Sequence, residues 1–281
     1  MPTFMGTLFL DQDQSRTIEE QGVALIAQHT LPEVVPKKQK STGKKLPTKQ
    51  AVVLENAAHG FKKPNILDIK LGKRLWADDA SEEKKIRFSK ITEETTHKDL
   101  GFRIAGMRVW QGPGAECKED IDEDGYRIYD REYGMSTINK DNIEDAFKSF
   151  IFVESAGIDE ELSRLVSQAF LADVQRIQEV LEGEESRMFS ASLLFVFEGD
   201  GKALRAAMEE ASTSPRTMVN DDEVSSEEEE DEEDYGVPKI YAVKIIDFAH
   251  AEWVPGQGPD KNSLLGIKSV AGILEKLGGL S

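Results

Sequence analysis

The stretch Lys63-Pro64-Asn65-Ile66-Leu67-Asp68-Ile69-Lys70-Leu71-Gly72 constrains the fold of this chain more than any other. A proline opens it, a glycine closes it, and the apolar run between them has the length of a buried strand. Strand side chains alternate between faces, so Leu67, Ile69 and Leu71 share one face while Asp68 and Lys70 share the other. A carboxylate and an ammonium on a core strand are costly to bury. Either they satisfy each other as an internal salt bridge, or their face is a working surface. In the second case the carboxylate sits beside a reacting hydroxyl and the cation holds a phosphate.

A second stretch has the same character. Ile240 to Ile246 is almost wholly apolar and delivers Asp247 at its C-terminal end, followed by Phe248-Ala249-His250. A carboxylate there can cap or turn the chain, or it can ligate a hard cation, which takes oxygen ligands. Between these stretches, Ser81 is placed to cap a helix running through Ile91. Lys84, Arg87 and Lys90 recur at helical intervals and share one face of it, either as a solvated surface or as a grip on phosphate. Phe102 to Trp110 reads as another apolar strand, with Arg108 embedded and Arg103 in a structural place. Two core helices follow. One carries Ile143, Ala146, Phe147, Phe150 and Ile151 after a cap near Asn139 or Asp141. The other carries Leu162, Leu165, Val166, Ala169, Phe170, Ile177 and Leu181 and stops at Gly183. Met188 to Phe197 reads as one strand containing Ser190 and Ser192. Ala203 to Ala211 forms a short helix, and a closing helix begins near Asn262 and ends at Gly278.

With 281 residues, 39% of them hydrophobic, the chain can bury one large core or two lobes. No run reaches the length of a membrane span and no signal-peptide pattern opens the chain. Cys117 is the single cysteine, which excludes an internal disulfide and fits a reducing compartment. The net charge of −18 is uneven: eleven acids between Asp221 and Asp234 leave −7 for the remainder. That acidic run, within a disordered insertion over about 212–236, reads as a solvated loop or else as a docking surface for basic transcription or chromatin proteins, with Ser225 and Ser226 as phosphorylation sites. Residues 32–50 form a basic loop. The overall charge gives no support to direct nucleic-acid binding, and the chain is expected to be a monomer of the nucleus and cytoplasm.

Taken together, Pro64-x-x-x-Asp68-x-Lys70-x-Gly72 resembles the signature of the inositol polyphosphate kinase family. Leu54-Glu55-Asn56, Gly101-Phe102-Arg103-Ile104-Ala105-Gly106-Met107-Arg108, Ser192-Leu193-Leu194 and Ile246-Asp247-Phe248-Ala249-His250 extend the match in the family's order, with the multikinase branch most similar. The resemblance implies an α+β, two-lobed fold of the inositol polyphosphate kinase type, related to protein kinases and ATP-grasp proteins. Residues 1–57 would form a truncated N-terminal lobe and hinge, and 58–281 the catalytic lobe. It implies ATP and Mg2+ as cofactors and inositol trisphosphate taken to tetrakis- and pentakisphosphate. Asp68 and Lys70 would be catalytic. Backbone groups of Glu55 and Ala57, together with Asp68, Ser192 and Asp247, would hold the nucleotide, with Asp247 on the metal. Lys70, Lys84, Arg87, Lys90, Arg108 and His250 would hold the substrate. The chain opens at a segment that lies well inside the family's N-terminal lobe, without the upstream lysine that contacts the ATP phosphates. A second expectation is therefore a truncated, catalytically impaired member serving as an interaction or transcription-associated scaffold.

Overall fold

The computed structural model describes residues 1–9, 48, 50–116, 120–213 and 239–280. Most of the basic loop and all of the acidic run, with Ser225 and Ser226, lie outside them. The chain divides into two compact units, Met1–Asn56 and Ala57–Ser281. In the first, β1 (Phe4–Phe9) pairs antiparallel with β2 (Gln50–Leu54), and the register slips between Phe4 and Gly6. Phe4, Met5, Val52 and Leu54 are exposed on this ribbon.

The second unit is built on a sheet of β3 (Pro64–Leu71), β4 (Phe102–Trp110), β5 (Tyr126–Tyr129), β7 (Ser192–Glu198) and β8 (Tyr241–Ile246), in the order β5-β4-β3-β7-β8 with every neighbour antiparallel. The alternation expected of the signature strand holds: Leu67, Ile69 and Leu71 are fully buried, while Asp68 and Lys70 lie half-buried on the opposite face. β6 (Ser186–Met188) and β9 (Ala251–Trp253) form a separate two-stranded ladder. The stretch from Met188 to Phe197 is therefore two strands. It breaks at Ser190, whose φ of 60° no regular strand accepts.

Six helices accompany the sheet among the described residues: α1 (Glu82–Glu94), α2 (His97–Leu100), α3 (Ile143–Ile151), α4 (Glu160–Gly183), α5 (Gly201–Thr213) and α6 (Lys261–Leu277). Ser81 caps α1 as expected, accepting from the Lys84 N–H. The cap of α3 falls at Asn142, because Asn139 and Asp141 belong to the preceding turn, where the Asn142 carboxamide accepts from the Asn139 N–H. The stripe on α4 also shifts. Leu165 is 39% exposed, whereas Leu171 and Val174 are buried with Leu162, Val166, Phe170 and Leu181. A 24-residue helix presents more than one apolar row, and the row beside β8 and α6 decides which is buried. Phe170 is the hub, 5.1 Å edge-on from Phe195, 5.9 Å from Phe197 and 5.8 Å from Tyr241.

At α6 the cap is Asp260. Its Oδ1 accepts from the N–H groups of Asn262 and Ser263, and its Oδ2 from Met188 N–H. Asn262, expected as the cap, does something else. Its Oδ1 accepts from the N–H groups of Lys73 and Arg74 and its Nδ2 donates to the Arg74 carbonyl. Gly72, at φ 92°, is where that carboxamide presses closest, so a side chain there would collide with it.

Candidate functional site

Strand register assembles the site. Lys70 on β3 stands opposite Ser192 on β7, and Ser192 stands opposite Ile246 on β8, so Asp247 follows directly at the end of that row. The Lys70 ammonium donates to Asp247 Oδ2 at 3.1 Å and to the Ser190 carbonyl at 2.7 Å. The buried Ser192 hydroxyl reaches the same Asp247 oxygen at 3.5 Å. Asp68 lies two residues along β3 on the same face. Asp68, Lys70, Ser192 and Asp247 are thus brought together, although the two carboxylates belong to one sheet, with β7 between their strands.

The two acids sit in different surroundings. Burial pushes the Asp68 carboxyl above its usual range, and the charge of Asp247 adds to this; the Ser192 hydroxyl, Lys70 and Arg103 pull the other way. Asp68 Oδ1 is buried and has no hydrogen-bond partner among the described residues. Asp247 has a side chain 54% exposed on a backbone at φ 68°, a left-handed conformation that is costly for a residue with a Cβ. Left-handed aspartate at the end of an apolar strand turns the carboxylate back over the row instead of continuing the ladder. Sequence could place Asp247 at a strand end but not foresee that twist.

No group of three or more His, Cys, Asp or Glu side chains among the described residues could hold a metal alone. The donors at the row's end nevertheless fit a hard divalent ion that completes its shell with nucleotide phosphates. Asp247 offers a half-exposed carboxylate, Ser192 a hydroxyl, and Asp68 an unpartnered carboxylate oxygen, all of them oxygens.

A second cluster joins α1 to the segment after β8. The Lys84 ammonium lies 3.3 Å from His250 Nε2; a lysine has only donors, so this ring nitrogen accepts. The rest of the basic face disperses. Arg87 lies over the Phe88 ring and Lys90 pairs with Glu94 at 3.7 Å. Arg108 is stacked 3.7 Å above the Tyr126 ring, with its Nη2 3.2 Å from Asp122 and 3.5 Å from Asp124. The Glu55 N–H goes to the Thr3 carbonyl and its carboxylate accepts from the Thr3 hydroxyl, so an adenine contact from this residue would have to come from its carbonyl. Ala57 is buried.

Beside His250 lies a cavity of about 350 Å³ lined also by Ala77, Asp78, Asp79, Phe189 and Glu252. A larger one, about 660 Å³, is lined in part by Arg74, Arg187, Lys261, Asp78, Glu252 and Asp260. Neither is lined by Asp68, Lys70 or Asp247; acids balance the bases in the larger and outnumber them in the smaller. The sheet row is therefore the stronger candidate for chemistry. Sequence reasoning missed Ser190, whose carbonyl holds Lys70, and Asn262, which holds the loop after it; a lone serine and an expected cap carry no such signal.

The family model of inositol polyphosphate kinase matches residues 51–275. The chain is 31% identical over 305 residues to the inositol polyphosphate multikinase of Saccharomyces cerevisiae, covering 98% of this chain and 81% of that one. It is 27% identical to inositol hexakisphosphate kinase 1 of Rattus norvegicus over 80% of this chain, and it spans 51%, about half, of that relative's length. Among solved structures, the inositol phosphate multikinase of S. cerevisiae in complex with ADP and Mn2+ superposes with a TM-score of 0.64 at 32% identity, covering 81% of this chain and 84% of that one.

Proposed function

The chain belongs to the inositol polyphosphate kinase family, and on that premise we propose that its sheet row transfers the terminal phosphoryl group of ATP to hydroxyls of a soluble inositol polyphosphate. The observation that carries the assignment of roles is the convergence of Asp68, Lys70, Ser192 and Asp247 at one end of the sheet, with Lys70 bonded to Asp247. Phosphoryl transfer asks a protein mainly for in-line positioning and for neutralisation of phosphate charge.

Asp247, with the Ser192 hydroxyl beside it, is the group that would hold Mg2+. The ion supplies charge neutralisation on the phosphate oxygens when bound. Lys70, its ammonium donating to both the Ser190 carbonyl and Asp247, presents that ammonium to the transferred group. Asp68 orients the attacking hydroxyl and takes its proton. A carboxyl raised by burial is a better base than a solvated one. Lys84 and His250 hold phosphates of the inositol ring, and Arg87 and Lys90 extend that surface along α1. Arg108, already spent on Asp122 and Asp124, contributes only if the substrate displaces those acids. We extend the proposal to steps from a trisphosphate to tetrakis- and pentakisphosphate.

The test is turnover by the purified chain with ATP, Mg2+ and inositol trisphosphate, alongside Asp68→Asn. Transfer by the wild type and its loss in a variant of unchanged circular dichroism support the reading. A wild type that binds ATP yet phosphorylates no inositol phosphate overturns it.

A further inference from the structure

Arg103 is a buried guanidinium to which the mechanism above gives no task. It is 5% exposed, its Nη1 donates to the Ile104 carbonyl, and its Nε has no partner. Among the described residues it makes no ion pair within 4 Å, although an unpaired charge in a protein interior is costly. Its place in the sheet is informative. Arg103 stands directly opposite Lys70, so the row that holds the site runs Arg103, Lys70, Ser192, Ile246 across four strands. Phe102 and Ile104 on either side are fully buried and pair with Leu71 and Ile69 of the core face, which puts Arg103 on the face of Asp68 and Lys70.

The register of β4 against β3 is irregular between Asp68 and Ile69: Asp68 pairs with Gly106 but Ile69 with Ile104, leaving Ala105 over. A bulge of this kind re-aims the side chains beside it. It falls between Asp68 and the Arg103 row, and the residue facing Asp68 is a glycine with no side chain to intervene. Burial and then the charge of Arg131 pull the Arg103 pKa down, and the Asp68 carboxylate is the group that pulls it back up. The charge of Arg103 in turn reaches Asp68.

We propose that Arg103 is a positioning residue: its buried charge holds the Asp68 carboxylate in place on the open face, and Asp68 is what makes a buried guanidinium tolerable there. This rests on the catalytic reading of Asp68. The competing account is purely structural. Gly134, in the π-helical turn Tyr133–Thr137, abuts the Ile104 carbonyl and Arg103 Nη1, so Arg103 would merely seat that turn.

Two measurements separate these, using the full chain. Kinetics of Arg103→Leu and Arg103→Lys come first. The leucine variant is expected to lose about 10- to 100-fold in kcat with KM for both substrates within about twofold, and the lysine variant to recover most of the loss. An unchanged kcat, or equal loss in both variants, overturns the proposal. The second measurement needs no activity: a stability cycle of Asp68→Asn, Arg103→Leu and the double variant in urea. Coupling of about fivefold or more in the unfolding constant is expected, because each single variant leaves the other group unbalanced. Additive effects overturn the proposal even if the wild type is active. Strong coupling in a wild type that turns over no inositol phosphate leaves the pairing standing and removes the kinase reading.

Discussion

One face of the five-stranded sheet is closed by rings and aliphatic side chains, with Phe170 of α4 meeting Phe195 and Phe197 of β7 and Tyr241 of β8. The other face carries Asp68, Lys70 and Arg103, and is left with a buried carboxylate oxygen and a guanidinium nitrogen without partners. Both faces are made by the same strands, residue by alternate residue. The closed face gains from every added contact and shares its load among many side chains. The open face gives up favourable interactions so that a few groups remain poised for something else. Stability and chemistry are thus separated by one residue along β3, and substitutions should sort by parity.

The sharpest division is expected from Asp68→Asn. Turnover should fall about 10²- to 10⁴-fold, as for loss of a general base, while the unfolding constant changes only by about the fivefold that its coupling to Arg103 accounts for, well short of the cost of a core truncation. A large loss of stability would mean that the open face carries structural load after all. Phe170→Ala should do the reverse, costing about 3–5 kcal/mol in unfolding free energy with kcat per folded molecule unchanged. If kcat falls too, the faces are mechanically coupled through β7.

His97 sharpens the comparison by pH. It is fully buried, and burial together with the positive charge of Arg103 pulls its pKa down to about 3 from 6.5, against the backbone of Gly72, which raises it. Between those values the unfolded chain binds the proton and the folded one does not, so its stabilising contribution is complete above pH 6.5 and declines as pH falls toward 3. Wild type should therefore lose about 1.4 kcal/mol per pH unit from this group across that window, a slope absent in His97→Leu when the two urea series are subtracted. Lys84→Ala should raise KM for the inositol phosphate about tenfold with kcat nearly constant, the signature of binding shared by ground and transition states. The smallest effect is on the stability of Asp247→Gly. Glycine accepts φ 68° freely, so the folded state should be unchanged or firmer by up to about 1 kcal/mol while turnover is lost. A clear destabilisation would show that the aspartate is there to build the turn.

Much of this division was written in the chain. The alternation in Leu67-Asp68-Ile69-Lys70-Leu71 separates the faces without coordinates, and the apolar run ending at Asp247 identifies the second acid. Local pattern sufficed because both depend on neighbours one or two residues away. Other features depend on partners remote in sequence. Leu165 was placed in the core because the helical period does not say which of two rows meets the sheet. The break at Ser190 was hidden because Met188 to Phe197 is apolar enough for one strand, and only the pairing of β6 with β9 divides it. Lys84 meets His250, yet Lys90 on the same helical face is drawn to Glu94, a local competitor that spacing alone does not rank. Arg103 looked structural for the same reason: its relation to Lys70 exists only in the register of two strands.

The start of α6 has a consequence for the order in which the molecule can be completed. Asp260 ties Met188 to the helix, and Asn262 ties Lys73 and Arg74 to it, so two side chains two residues apart grip segments on both sides of the row that holds Lys70 and Ser192. During synthesis the ribosome releases this clasp after everything it fastens. A nascent chain halted at α5 would already own Asp68, Lys70 and Ser192, but with the loops around them unfastened and Asp247 not yet made. Enzymatic competence should therefore arrive late and all at once in translation.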